Sequence, residues 1–193
     1  MSNNIKLTII IPVKNSGATL QKTLDSIKSQ DYKNIEVIVM DGLSTDNTME
    51  VINKNKEIIN TVISEKDESS AAACNKAIEI STGEFIGFLY ADDYLTSDAL
   101  NYISDIANTK KNIDVISYGL SIENLETKKI ILESKKEKNI SLNLSNALFK
   151  HVLNHFYRRS IFKKYGYLTP LYYDNTIFYS NDREFLIRLA LNN

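Results

Sequence analysis

Leu7-Thr8-Ile9-Ile10-Ile11-Pro12-Val13 is followed at once by Lys14-Asn15-Ser16-Gly17 and then by apolar residues at Leu20, Leu24 and Ile27. A nearly unbroken β-branched run has no polar face to offer water, so it reads as a strand covered on both sides, the pattern of a central parallel strand. The Asn-Ser-Gly break stops the strand, Thr19 stands where a helix cap belongs, and helical spacing puts Leu20, Leu24 and Ile27 on one face. The same grammar recurs along the first half of the chain. Ile35 to Met40 is a second strand, followed by the turn Asp41-Gly42-Leu43-Ser44 and a helix from about Thr45 whose apolar face carries Met49, Ile52 and Ile59. Thr61 to Ser64 is a third strand, Ala71 to Ile80 a helix ended by Gly83, and Phe85 to Tyr90 a fourth strand running into Ala91-Asp92-Asp93. Strands alternating with helices predict an α/β fold, a central mainly parallel sheet flanked by helices with right-handed crossovers.

Ser97 to Ala107 predicts one more helix, and after it the alternation weakens. Val115 to Ile122 reads as a strand, with Lys128 to Leu132 pairing with it across the polar Glu123 to Thr127 stretch. Lys135 to Lys138 reads as a solvated turn, and short helices and loops are expected from Leu142 onward. The last helix is expected over Asp182 to Leu191, its face made by Phe185, Leu186 and Leu189. This second half is expected on the edge and face of the sheet.

The chain's 193 residues fit a single domain, and 43% hydrophobic with 24% charged residues is ordinary for a globular protein. Lys and Arg total 23 against 24 Asp and Glu, which argues against nucleic acid as a partner. One cysteine cannot form an internal disulfide and, with two histidines, cannot build a structural zinc site, so a cytoplasmic setting is expected. No export signal and no apolar run of roughly 18 residues appear, which leaves only peripheral contact at the inner face of a membrane.

In an open parallel sheet, ligands sit at the carboxyl ends of the strands. Those ends carry Pro12, Lys14 and Asn15, then Asp41, then Glu65 and Asp67, then Asp92 and Asp93. Asp is common in turns and caps, but neighbouring carboxylates after a buried strand repel one another unless a cation or hydrogen-bond donors neutralise them, and hard divalent cations prefer such oxygens. A metal-diphosphate site explains the pattern. The chain has neither G-x-G-x-x-G after the first strand nor G-x-x-x-x-G-K-[ST], so a dinucleotide-binding dehydrogenase and a P-loop NTPase are both disfavoured.

Thr8-Ile-Ile-Ile-Pro-Val-Lys-Asn15, Glu36-Val-Ile-Val-Met-Asp41-Gly42, Ser44-Thr45-Asp46-Asn47-Thr48 and Gly83-Glu-Phe-Ile-Gly-Phe-Leu-Tyr-Ala-Asp92-Asp93 resemble the N-terminal half of family 2 glycosyltransferases. Phe156 to Leu191 is similar to their acceptor half, including Asn-Asp182-Arg-Glu-Phe-Leu-Ile-Arg188-Leu. The resemblance implies a GT-A fold, a nucleotide-diphosphate sugar donor (UDP-linked is the expectation), a Mg²⁺ or Mn²⁺ cofactor and an inverting transfer to a saccharide or lipid-linked saccharide acceptor. It implies one domain over 1–193, with residues 1–97 as the donor half and 98–193 as an acceptor half truncated at its C-terminus.

Carried over by motif, Asp41 would hydrogen-bond the nucleotide base, Pro12 and Asn15 would line its pocket, and Asp67 would join the donor site. Asp92 would contact the ribose or sugar, Asp93 would hold the metal, and Asp182 would be the general base. Where relatives carry a glycine, an Asp and an Arg or Met, this chain has Ser69, Ala72 and Cys74. That departure keeps a non-catalytic sugar-nucleotide-binding domain as the alternative. A uridylyltransferase on a related fold would need a glycine-rich basic loop after the first strand, which Lys14-Asn15-Ser16-Gly17 does not supply. His151 and His155, tyrosines from Tyr165 to Tyr179, and the basic stretch Arg158 to Lys164 are read chiefly as structural or solvated.

Overall fold

Strand β1 (Leu7–Val13) is buried at every residue, as its composition demands. It lies between two parallel neighbours, β2 (Ile35–Asp41) and β4 (Phe85–Phe88), and β2 pairs in parallel with β3 (Thr61–Ser64). The computed structural model describes residues 5–110, 112–117, 121–123, 130–133 and 155–168. The chain steps outward from β1 to β2 to β3 and then crosses back to β4 on the other side of β1, so the topological switch falls beside β1.

Strand periodicity divides the core into two layers. Leu7, Ile9, Ile11 and Val13 face one cluster with Leu20, Leu24, Ile27, Val51, Ile52, Leu100 and Ile103, from helices α1 (Leu20–Lys28), α2 (Thr48–Lys54) and α4 (Ala99–Thr109). Ile10 faces the other, with Ala71, Cys74, Ala77 and Ile78 of α3 (Ser70–Ile80) and with Ile161 and Phe162 of α5 (Ser160–Tyr165). Both faces are covered, which is why β1 shows no polar alternation.

Several local expectations need correction. Thr19 occupies the cap position of α1 without making a cap bond; its hydroxyl donates to the Ser16 carbonyl at 3.3 Å. Helix α2 begins at Thr48 rather than Thr45 and ends before Ile59, which is buried outside it. Its start is delayed because Asp46 turns back to accept from the Thr48 N–H at 3.0 Å and from its hydroxyl, keeping the preceding residues in a loop. Gly83 does not terminate α3, which ends at an extended Ser81. Its role is close approach: a Cβ there would lie 2.4 Å from the Thr8 Oγ1 and 2.6 Å from the Thr8 backbone nitrogen.

Strand β4 stops at Phe88, two residues short of the expected Tyr90, because the chain turns there and the Asp93 N–H donates to the Tyr90 carbonyl at 3.0 Å. Helix α4 lies two residues later than expected. The single strand expected over Val115 to Ile122 is two strands in two sheets, β5 (Val115–Ser117) and β6 (Ser121–Glu123). Strand β6 pairs antiparallel with β7 (Ile130–Glu133), as expected.

Sequence reading missed β8 (His155–Arg158), which inserts antiparallel between β4 and β5 and completes the order β3-β2-β1-β4-β8-β5. Its partners are far away in sequence, and Phe156 fits because Gly87 leaves room: a Cβ at Gly87 would lie 2.5 Å from the Phe156 ring. Among the described residues no helix is long and apolar enough to cross a membrane. The expected last helix over Asp182 to Leu191, the Lys135 to Lys138 turn, His151 and the tyrosines beyond Tyr167 lie outside the described residues.

Candidate functional site

The loops after β1 and β2 are bolted together at the carboxyl end of the sheet. The Asn15 N–H donates to the Ser44 hydroxyl at 2.8 Å, and the Asn15 side-chain carbonyl accepts the Thr45 N–H at 2.8 Å. The Ser16 N–H reaches the Thr48 hydroxyl at 2.8 Å and the Gly17 N–H reaches Asp46 at 3.0 Å. Among the described residues, the two non-glycine residues with left-handed backbone, Asn15 (φ 50°) and Leu43 (φ 57°), lie in these two loops. Such conformations are uncommon outside glycine and persist where surrounding bonds hold them. Gly17 lets the loops close up here, since a Cβ would fall 1.9 Å from the Asn47 side-chain oxygen and 3.0 Å from the Thr48 backbone nitrogen.

Between these loops, the turn after β4 and the first turn of α3 lies a cavity of about 610 Å³. Four of the expected site residues, Pro12, Asn15, Asp67 and Asp92, line it together, with Lys14, Tyr90, Ser69 and Ser70. Asp41 and Asp93 stand outside that lining, and Asp182 lies outside the described residues. Tyr90 and the first turn of α3 are wall residues that strand-end reasoning did not single out; an aromatic two positions past a buried strand and a serine pair opening a helix were the available signals.

The carboxylates fall into three conditions. Asp41 is 1% exposed and already saturated: it accepts the Ser44 hydroxyl at 2.5 Å, the Ser64 hydroxyl at 2.6 Å and the Ser44 N–H at 3.2 Å. Asp67 is matched by a cation, because Lys76 lies 2.7 Å from its Oδ1 and also pairs with Glu65. These two acids hold the Lys76 ammonium well above the ordinary lysine range, the Asp67 contact first. Asp92 is exposed, and neither its side chain nor that of Asp93 has a hydrogen bond or ion pair among the described residues. Burial, and then the charge of Asp92, push the Asp93 carboxyl above its ordinary pKa. The Asp93 backbone is pinned from α1, since the Thr23 hydroxyl donates to its carbonyl at 2.7 Å.

Two adjacent hard oxygen donors of unrelieved negative charge fit a divalent cation of the Mg²⁺ or Mn²⁺ type. Among the described residues no group of three His, Cys, Asp or Glu converges, so these two acids would leave most of the coordination sphere to phosphate oxygens and water. His155 is buried in β8 with its ring 5.9 Å from that of Tyr157, away from the cavity lining. In the basic stretch, Arg158 is tied to Glu84 and Asp114, and Arg159 Nε donates to the Gly83 carbonyl at 3.0 Å. These two arginines serve the sheet, and of the basic residues in the stretch Lys163 and Lys164 are the exposed ones.

Residues 8–166 match the family described as glycosyl transferase family 2. Among curated proteins, the chain is 37% identical over 108 residues to UDP-Glc:alpha-D-GlcNAc-diphosphoundecaprenol beta-1,3-glucosyltransferase WfaP of Escherichia coli, a match covering 54% of this chain and 42% of that protein. The chain thus spans less than half the length of that relative. Among solved structures, S. aureus TarS 1–349 in complex with UDP-GlcNAc superposes with TM-score 0.75 at 22% identity, covering 97% of this chain and 54% of the other. A mannosyltransferase from Pyrobaculum calidifontis in complex with GDP-Man and Mn²⁺ gives TM-score 0.65 at 22% identity over 86% of this chain and 48% of that one. At these identities the structural likeness establishes the shared GT-A architecture.

Proposed function

The chain belongs to glycosyl transferase family 2, and from that membership we propose that it moves a sugar from a nucleoside-diphosphate sugar, UDP-linked, onto an acceptor hydroxyl with inversion. The acceptor class proposed is a saccharide or lipid-linked saccharide in the assembly of a surface polysaccharide or glycoconjugate, met at the cytoplasmic face of a membrane. The observation that carries the reading is the cavity at the carboxyl ends of β1 and β4, lined by Asp92, with Asp93 next in the chain and neither acid paired among the described residues. The WfaP relative uses a UDP-linked glucose and a lipid-diphosphate acceptor, which supports the donor and acceptor classes.

In this reading Pro12, Asn15 and Asp67 form the nucleotide end of the cavity and Asp92 meets the ribose or sugar. Asp41 recognises the base only if one of its serine hydroxyls turns aside, since both its oxygens are already engaged. A divalent cation held by Asp93 beside Asp92 would act as a Lewis acid on the diphosphate, whose charge grows as the anomeric bond breaks. Asp182 takes the proton of the acceptor hydroxyl, a role that needs a carboxylate within hydrogen-bond reach of that oxygen. The bolted loops after β1 and β2 keep the nucleotide end ordered before the donor arrives, which reduces what binding must give up in conformational freedom.

A thermal-shift series with UDP-glucose, UDP-GlcNAc and GDP-mannose, each with and without Mn²⁺, tests this. A ligand that binds only the native state raises the melting temperature by mass action, so a Mn²⁺-dependent rise with a UDP-sugar is the expected result. No rise with any nucleotide sugar would overturn the reading.

A further inference from the structure

Neighbouring residues of α3 hold two separate parts of the chain. Lys76 pairs with Asp67 and Glu65, and the Ser69 hydroxyl accepts the Ala72 N–H at 3.1 Å, so the near end of the helix grips the loop that walls the cavity. Asn75 reaches a distant segment instead. Its amide nitrogen donates to the Leu168 carbonyl at 2.7 Å and its side-chain oxygen accepts the Leu168 N–H at 3.0 Å, across 93 residues of sequence.

α3 and this segment also share apolar packing: Ala71, Cys74 and Ala77 lie in one cluster with Ile161, Phe162 and Leu168. Apolar burial is non-directional and tolerates sliding of one surface on another. A paired amide clasp does not, because a displacement of about 1 Å carries both hydrogen bonds beyond useful length. Leu168 is only 5% exposed, so its two backbone groups need partners, and one side chain supplies both. The clasp thus does what the apolar contact cannot: it sets the register of the chain leaving α5.

We infer that Asn75 is a positioning residue, which through α3 couples the donor cavity to the segment around Leu168 and so to the acceptor half of the chain. The inference rests on the donor reading of the cavity proposed above. Filling the cavity orders the first turn of α3, α3 carries the constraint to Asn75, and Asn75 passes it to Leu168.

The test uses UDP with Mn²⁺ as probe and amide exchange of residues 160–168 as readout. In the wild type, saturating UDP is expected to slow exchange in this segment about threefold or more. Asn75→Ala is expected to abolish that slowing while UDP affinity stays within about threefold, and to lower turnover about tenfold with little change in donor KM. Asn75→Asp keeps an acceptor for the Leu168 N–H and loses the donor, so intermediate coupling is expected. Slowing that persists in Asn75→Ala, or that is absent in the wild type despite UDP binding, would overturn the coupling. A fall in UDP affinity as large as the fall in turnover would reduce the clasp to a staple of the fold. Failure of the wild type to bind UDP at all would instead sink the donor reading, and it would be seen before any variant is made.

Discussion

Glu36 and Asp93 stand at opposite ends of one sheet and have opposite surroundings. Glu36, near the start of β2, is 8% exposed and fully attended: it accepts the Thr8 hydroxyl at 2.6 Å, the Thr82 N–H at 2.8 Å and the Thr82 hydroxyl at 2.6 Å, with Lys6 at 3.3 Å. Burial alone would raise its pKa, but these hydrogen bonds and the Lys6 charge outweigh burial and hold it at about 2. Asp93, beyond the end of β4, is pushed the other way by burial and by Asp92. One end of the sheet uses its buried acid to tie β1, β2 and the turn before β4 together. The other end leaves an acid pair unneutralised, a local instability that makes sense where a ligand supplies the missing positive charge.

The comparison can be broken at either end. The largest effect is expected from Glu36→Ala, which strands the Thr8 hydroxyl and the Thr82 N–H and should lower stability by about 3–4 kcal/mol in urea unfolding while leaving UDP affinity unchanged. A variant as stable as wild type would remove Glu36 from the stabilising role.

At the other end, Asp93→Ala should weaken Mn²⁺-dependent binding of a UDP-sugar by about 100-fold in calorimetric titration, with no loss of metal-free melting temperature, because the carboxylate removed is a repulsive one. An unchanged titration would count against the metal assignment. Asp182→Asn should cost about 10²-fold in turnover with donor affinity retained, since only proton acceptance is removed. If Asp182 merely caps a helix, Asn serves nearly as well and turnover stays within a few-fold of wild type.

Acid unfolding sharpens the contrast by sign. The folded Glu36 carboxyl titrates at about 2 against 4.5 for a free one, so its contribution is present above 4.5 and is lost as the pH falls toward 2. That amounts to about 3 kcal/mol. Asp93 acts oppositely: its raised pKa means that the metal-free protein loses a little stability as the pH rises through it. Urea unfolding of wild type, Glu36→Ala and Asp93→Ala across this range separates the two contributions, and parallel curves for all three would refute the contrast. The smallest effect is expected from Asp41→Asn, about 1–2 kcal/mol of stability, because the amide's NH₂ half cannot accept from a serine hydroxyl. A loss confined to nucleotide affinity would move Asp41 from brace to ligand contact.

The first half of the chain was legible because its signals are local. β1 is a continuous apolar run, Leu20, Leu24 and Ile27 share a helical face, and Pro12, Asn15, Asp67 and Asp92 lie at or just past strand ends, so a rule about strand ends finds the cavity wall. β8 was not legible: four residues whose partners are Phe85 to Gly87 on one side and Val115 to Ser117 on the other carry no periodicity of their own. Glu36 also escaped notice, because a charged residue one place into a buried strand has meaning only once Thr8 and Thr82 are beside it.

The sequence by itself determined which residues form the parallel strands and which acids stand at their carboxyl ends, because burial periodicity and chain breaks act within a few residues. Only the tertiary structure decided the surroundings and duty of each acid. Asp41 is saturated by Ser44 and Ser64, Asp67 is matched by Lys76, Glu36 is attended by Thr8, Thr82 and Lys6, and Asp93 is left with Asp92. These carboxylates are chemically alike, and what separates them is the number of donors and charges within hydrogen-bond reach, set by contacts between residues 3 to 46 apart in the chain.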